Sequence, residues 1–171
     1  MPGVLAAGGA YMNGTLDLVA SNYASGYESP WYPGRIVPDV CGLVGMLPRA
    51  QYLMLPVPPG CQLDQSQSKP DDTDPEGDGT SPDDGWALFS GTSAAAPQLA
   101  GAAAVLLSLN PKLTPAQIKE ALTRTAIDVT AGSCHPRFNN PATVGQDKAT
   151  GLGLVNLADA VAYARNHFSG N

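Results

Sequence analysis

The amino-acid sequence predicts an α/β fold, a mostly parallel sheet with helices packed on it. Three observations carry that reading. After Ser93, residues up to 109 are almost wholly apolar, with Gln98 and Ser108 the only polar side chains, and a helix apolar all round belongs inside a domain. Short β-prone runs separated by Gly- and Pro-rich turns precede that helix, and two further helical segments with their own start signals follow it. Finally, 171 residues suffice for one domain with a sizeable core, and 14% charged residues with 19 Gly and 16 Pro describe a loop-rich globular chain rather than a coiled coil or a disordered one.

Taken in order, residues 3–10 and 15–20 read as strands joined at Met12-Asn13-Gly14, a tight-turn signal. Residues 21–35, rich in Ser, Tyr, Gly and Pro, read as a loop. Residues 36–45 are apolar and β-prone except at Pro38 and Asp39, and 52–57 offers another strand. Residues 58–85 form an acidic Pro/Gly-rich segment, expected as a solvated insertion with little capacity to bury itself. Residues 86–89 restore a short apolar strand whose Trp86 and Phe89 are expected in the core. Ser90-Gly91-Thr92-Ser93-Ala94-Ala95-Ala96-Pro97 then opens the apolar helix, which Asn110-Pro111 stops. Thr114-Pro115-Ala116-Gln117 starts the next helix, with Thr as cap, Pro first inside and Gln three residues after the cap. Ile118, Ala121, Leu122 and Thr125 form its core stripe. A last helix spans 157–166, after the glycine-rich turn 150–153. No internal repeat is present.

The net charge of −6 is local. Between Cys61 and Gly85 stand Asp64, Asp71, Asp72, Asp74, Glu76, Asp78, Asp83 and Asp84 against Lys69 alone, and the rest of the chain is near neutral. With no basic patch, nucleic acid is not an expected partner. No apolar run reaches membrane-spanning length free of Gly, Pro and polar residues, so no membrane is expected either. The first nine residues lack the basic region and apolar core of a signal peptide. Cys41, Cys61 and Cys134 are too few and scattered for a disulfide framework or a zinc site; a Cys41–Cys61 bridge and buried free thiols both remain open.

Chemistry concentrates at Ser93. The first-turn amides of a helix have no partners within it and form a cluster of outward donors at the positive end of the helix dipole. A hydroxyl fixed there sits beside preformed stabilisation for negative charge, as acyl transfer requires. By position, the main-chain groups of Thr92 and Ser93 are the candidates for holding an oxyanion. The plain alternative is a serine that merely caps the helix. His135 and His167 both follow Ser93, and neither sits in a catalytic motif. A Gly-x-Ser-x-Gly elbow is excluded because position 95 is Ala. In the acidic segment Asp72, Asp74, Glu76 and Asp78 alternate around Gly77, with Asp83 beyond, a spacing that suits a calcium loop, although a solvated acidic loop is the simpler reading. Asp128 and Asp147 bracket a second, lesser candidate.

The serine segment followed by Pro97, Gln98, Leu99, Ala100 and Gly101 resembles the nucleophile region of subtilisin-like serine peptidases, where Gly-Thr-Ser-x-Ala-x-Pro opens a long buried helix. Residues 2–10 resemble that family's Pro-x-Val-x-x-Val-Gly-Ala segment. Ser21-Asn22-Tyr23-Ala24-Ser25 is similar to its Ser-aromatic-Ser segment, and Val37-Pro38-Asp39-Val40-Cys41-Gly42 to the stretch that usually ends in Ala-Pro-Gly. Residues 110–126 and Gly151-Leu152-Gly153-Leu154-Val155-Asn156 resemble its later helices and their lead-in. Gln98 stands where the family commonly has a histidine, and Cys41-Gly42 departs from Ala-Pro-Gly.

The resemblance implies a partial subtilisin-like fold, residues 1–171 being the C-terminal portion of a peptidase domain with an acidic insertion at about 58–85. It implies a serine-type endopeptidase acting through an acyl-enzyme on a peptide or protein substrate, with Ser93 as nucleophile. The family's catalytic Asp and His and its oxyanion Asn all lie upstream of the stretch that Pro2 resembles. The isolated chain is therefore expected to lack them, to be inactive, and to need the missing N-terminal half as a partner. Such a half-domain should leave an apolar surface uncovered. No cofactor is required for this chemistry, calcium is a candidate ligand only, and a secreted or extracellular parent is implied. The alternative is a non-catalytic, truncated or degenerate module whose acidic loop binds calcium or a protein partner.

Overall fold

The computed structural model describes residues 3–46, 53–70 and 77–168. Strand β1 (Ala7–Met12) lies at the centre of a three-stranded sheet, antiparallel to β2 (Leu18–Ala20) and parallel to β5 (Val40–Leu43). Parallel bridges from Ala20 to Gly132 and from Cys41 to Leu154 extend this sheet. Two antiparallel pairs stand beside it, β3 (Tyr27–Glu28) with β4 (Ile36–Val37) and β6 (Leu53–Pro56) with β7 (Trp86–Phe89). The helices are α1 (Gln62–Gln67), α2 (Thr92–Leu109), α3 (Pro115–Arg124) and α4 (Leu157–Phe168). The α/β class holds. Parallel pairing is narrower than expected, because the other strands are short neighbours that fold back on one another.

Local chemistry explains most boundaries. Thr114 caps α3 in a reciprocal box, accepting from the Gln117 N–H at 3.3 Å while its own N–H donates to Gln117 Oε1 at 2.9 Å. The β1–β2 reversal departs from the sequence reading. Asn13 Oδ1 accepts the Thr15 and Asp17 N–H groups, and the left-handed residue is Leu16 at φ 65° rather than Gly14.

Helix α2 is buried along one stripe only, Ala94, Ala95, Leu99, Ala102 and Leu106, by which it packs on β1 and β5. Its far end joins Leu113, Ala121, Leu122 and Ala160 in the main core. The opposite side lies open: Ala96, Pro97, Ala100 and Ala104 are exposed, as are Val105 at 39%, Leu107 at 38% and Leu109 at 47%. The expectation of burial on every side is thus corrected. The helix is apolar all round, but the described residues supply a packing layer for one side of it. By length and composition alone α2 could cross a membrane, although Pro97, Gln98 and Gly101 interrupt its apolar run; here its buried stripe packs on a sheet.

The acidic segment is also more structured than expected. It contains α1, with Asp64 wholly buried, and Asp78 is buried as well. Trp86, expected inside, is 45% exposed. All three cysteines are free, so the Cys41–Cys61 bridge does not form. Cys41 lies in β5 among Ala10, Val129 and Leu154, where burial and then the charge of Asp147 push its thiol far above the ordinary range.

Asp39, at the break between β4 and β5, ties the layers together. Its carboxylate takes both Arg35 guanidinium nitrogens (2.6 and 2.7 Å), Lys119 Nζ from α3 (2.7 Å) and the Ala6 N–H (2.7 Å). Its main chain bonds the Ala6 carbonyl and the Leu152 N–H. Burial works against ionisation, but the bonds from Arg35, Ala6 and Lys119 outweigh it and hold the carboxyl below its ordinary value of 3.8. A carboxyl with a depressed folded-state value stabilises the fold above its unfolded value, and that contribution disappears as pH falls through the folded one. Denaturant unfolding followed from about pH 5 downward should therefore show stability falling below pH 3.8. In Asp39→Asn this part of the fall should be absent, and stability at neutral pH should drop by about 1.5–3 kcal/mol because the partly buried Arg35 and Lys119 lose their charged hydrogen-bond partner.

Candidate active site

Strand β7 runs through Ser90 and Gly91 directly into α2. Gly91, at φ 86° and ψ 169°, occupies a conformation that a side chain would strain, and it turns the chain so that Thr92 and Ser93 begin the helix. The Ala94 N–H folds back onto the Gly91 carbonyl at 3.0 Å. Among the described residues no acceptor is recorded for the N–H of Thr92 or Ser93, and none of the recorded bonds involves the Ser93 hydroxyl. Pro97 has no N–H to give the Ser93 carbonyl. Ser93 is exposed. An accessible hydroxyl thus stands beside two uncommitted main-chain donors, at the positive end of an 18-residue helix.

The helix is held in place from beneath. An ideal Cβ built on Gly42 in β5 would lie 2.8 Å from the Ala95 Cα and 2.9 Å from its carbonyl oxygen, so only glycine lets the first turn of α2 rest on the strand. One turn on, Gln98 grips the same strand. Its Oε1 accepts the Leu43 N–H at 2.9 Å, and its Nε2 donates to the Leu43 carbonyl at 2.7 Å and to the Ala94 carbonyl at 2.8 Å. Sequence reasoning noted Gln98 as a polar exception in the apolar helix and as a departure from a family pattern, but gave it no role. The available signal was its isolation, a lone amide in an apolar helix five residues after the serine.

Neither histidine meets Ser93 in any recorded contact. His135 Nδ1 accepts the Arg137 N–H in the exposed loop after α3. His167 stacks on Tyr163 at the end of α4, with its Nδ1 2.9 Å from the Tyr163 carbonyl oxygen. Of the acidic candidates, Asp72, Asp74 and Glu76 lie outside the described residues. Asp78 is buried, with Oδ1 held by the Thr80 N–H and hydroxyl, whereas Asp83 is exposed. Among the described residues no three His, Cys, Asp or Glu side chains group as a metal site. Asp147 is fully occupied. Its Oδ1 accepts from Ala149 and Thr150, and its Oδ2 accepts from Thr143. Asp128 accepts the Gly145 N–H.

The Subtilase family model matches residues 22–156, which include β7, Ser93, all of α2 and α3 and the lead-in to α4. The chain belongs to the subtilase family. Its members are serine-type peptidases, which agrees with the resemblance carried by the serine segment. Over 85 residues the chain is 41% identical to Subtilisin-like protease SBT2.6 of Arabidopsis thaliana, a match covering 46% of this chain and 10% of that protein. Fervidolysin from Fervidobacterium pennivorans, a keratinolytic enzyme related to subtilisin, superposes on 94% of this chain over 19% of its own, with a TM-score of 0.60 and 23% identity. Pseudomonas sedolisin, a serine-carboxyl proteinase, superposes on 96% of this chain over 46% of its own, with a TM-score of 0.57 and 21% identity. These two structures bear on the fold. This subtilase chain spans less than half the length of each of these three proteins.

The frame under Ser93 can be tested by substitution. Gly42→Ala should cost about 1–3 kcal/mol, because the added methyl meets backbone that cannot rotate away. Gln98→Leu should cost about 2 kcal/mol by leaving the Leu43 N–H and carbonyl without partners. Both losses are read from denaturant midpoints at unchanged m-value.

Proposed function

We propose that Ser93 is the nucleophile of a serine-type endopeptidase to whose catalytic domain this chain contributes the C-terminal part. The observation that carries the proposal is the accessible Ser93 hydroxyl at the start of α2, with the Thr92 and Ser93 N–H groups uncommitted beside it. In this reading Ser93 Oγ attacks the scissile carbonyl carbon and gives its proton to a histidine. The Ser93 N–H, with that of Thr92 beside it and an asparagine side chain, receives the negative charge on the carbonyl oxygen. Collapse releases the amine, which takes the proton from the histidine, and leaves an acyl-serine that water hydrolyses.

In this reading the histidine, its orienting aspartate and the asparagine come from another part of the parent protein. His135 and His167 are engaged elsewhere, and the exposed apolar side of α2 supplies the surface on which such a segment would pack. No cofactor enters the chemistry, the substrate is a peptide or protein, and the parent protein acts outside the cell. The chain alone lacks a base and should be inactive.

The complete parent protein should hydrolyse a quenched fluorescent peptide, and Ser93→Ala should lower the rate by several orders of magnitude at unchanged fold. This chain alone should give no turnover. A Ser93→Ala parent that keeps its rate would refute the assignment. A parent inactive toward all peptides would favour a non-catalytic module that binds through its acidic loop.

A further inference from the structure

The insertion between β6 and β7 encloses three oxygen atoms that no hydrogen bond satisfies: Asp64 Oδ1, Gln67 Oε1 and Asp78 Oδ2. Asp64 has no exposed surface and Asp78 is 7% exposed. Leaving one buried polar group unpaired costs about 1–3 kcal/mol, and more for a charged one. Three in one short segment call for a compensating partner. All three are acceptors, so the partner must be positive or carry donors.

Hydrogen bonds link the three residues into one local network. Asp64 and Gln67 are three residues apart on α1 and so share a face. The Gln67 carbonyl accepts the Asp78 N–H at 3.0 Å. Asp78 Oδ1 accepts the Thr80 N–H and hydroxyl at 3.0 and 2.7 Å, and that hydroxyl lies 3.3 Å from the Trp86 carbonyl oxygen. The next residue back, Gly85, gives its N–H to Asp64 Oδ2 at 3.1 Å, which closes the ring. Each carboxylate is therefore fixed through one oxygen, Asp64 by the Gly60 and Gly85 N–H groups and Asp78 by the Thr80 N–H and hydroxyl, and left with the other free, the usual way a ligating carboxylate is oriented. Burial alone does not produce this pattern here, since equally buried Asp147 has both oxygens engaged. None of the ion pairs among the described residues involves Asp64 or Asp78, and Lys69 is exposed. Turning the Gln67 amide would bring a neutral donor inward but leave the charge of two carboxylates uncompensated.

We propose that the insertion folds around one calcium ion ligated by Asp64 Oδ1, Gln67 Oε1 and Asp78 Oδ2. Two carboxylates match a divalent charge, and an all-oxygen set with no sulfur or imidazole selects a hard cation. Calcium tolerates irregular geometry, whereas magnesium demands a near-ideal octahedron and keeps most of its waters. The site differs from the alternating loop picked out in the sequence and shares only Asp78 with it. It does not depend on the peptidase reading, since the ion would brace α1 and β7 whether or not Ser93 reacts.

Terbium serves as the probe, excited through Trp86, which adjoins Gly85 and whose carbonyl accepts from the Thr80 hydroxyl. Wild-type protein should give saturable sensitised emission at one ion per chain, displaced by calcium. Calcium at roughly 100-fold its dissociation constant should raise Tm by about 5–10 °C. Asp64→Asn and Asp78→Asn should each weaken binding by about tenfold or more. Should either fail to fold, Gln67→Glu decides, because a third carboxylate should tighten calcium binding while lowering Tm in chelator. Absence of one-to-one binding, or a Gln67→Glu protein with unchanged calcium affinity, would overturn the proposal. So would Asn variants that are stabilised and indifferent to calcium, which would mean that the two carboxylates share a proton.

Discussion

Everything at the candidate site rests on the direct contact between the first turn of α2 and strand β5. The two backbones meet at Gly42 and Ala95 with no side chain between them. Gln98 then converts proximity into a fixed register, since both polar groups of Leu43 end on its amide. Each of those groups would cost about 1–3 kcal/mol if buried and unpaired. The clamp therefore resists both sliding of the helix along the strand and rotation about its axis. Because Gly91 sets the entrance to the helix, fixing α2 also fixes the direction in which Ser93 and its neighbouring N–H groups point. Asp39 does the corresponding work at the start of the same strand, where one carboxylate joins the residue before β1, the β4–β5 break and α3.

The insertion belongs to the same mechanical chain. It leaves β6 and returns as β7, and the pairing of Leu53 with Phe89 closes that excursion immediately before Ser90. Whatever stabilises Asp64 and Asp78 thus steadies the strand that delivers the serine. The family relationship accounts for the serine segment and the helices around it.

How much of this could be read in the sequence follows from how local each signal is. The start of α2, the reciprocal cap at Thr114 and Gln117, and strand β7 depend on residues within a few positions of one another, and they fell where expected. The clamp by Gln98 joins residues 55 apart, so neither its partner nor its purpose shows in a linear pattern. Burial of α2 failed for a related reason: apolarity tells what a surface prefers, whereas exposure of Val105 and Leu107 depends on which polypeptide is present to cover them. Helix α1 was hidden by composition. Its polar, acidic sequence looks solvated until Gly60 and Gly85 are seen donating to Asp64 Oδ2 from either side. In the β1–β2 turn, Asn13 overrode the glycine signal by capturing two main-chain donors with its side chain.

The account stands most directly on where a serine-directed fluorophosphonate bonds. Peptide mass mapping should place the adduct on Ser93 in the complete parent protein, at a rate at least about a thousandfold above that of the isolated chain, where His135 and His167 are engaged elsewhere. Rapid modification of Ser93 in the isolated chain, or an adduct on any other residue of the complete protein, would contradict it.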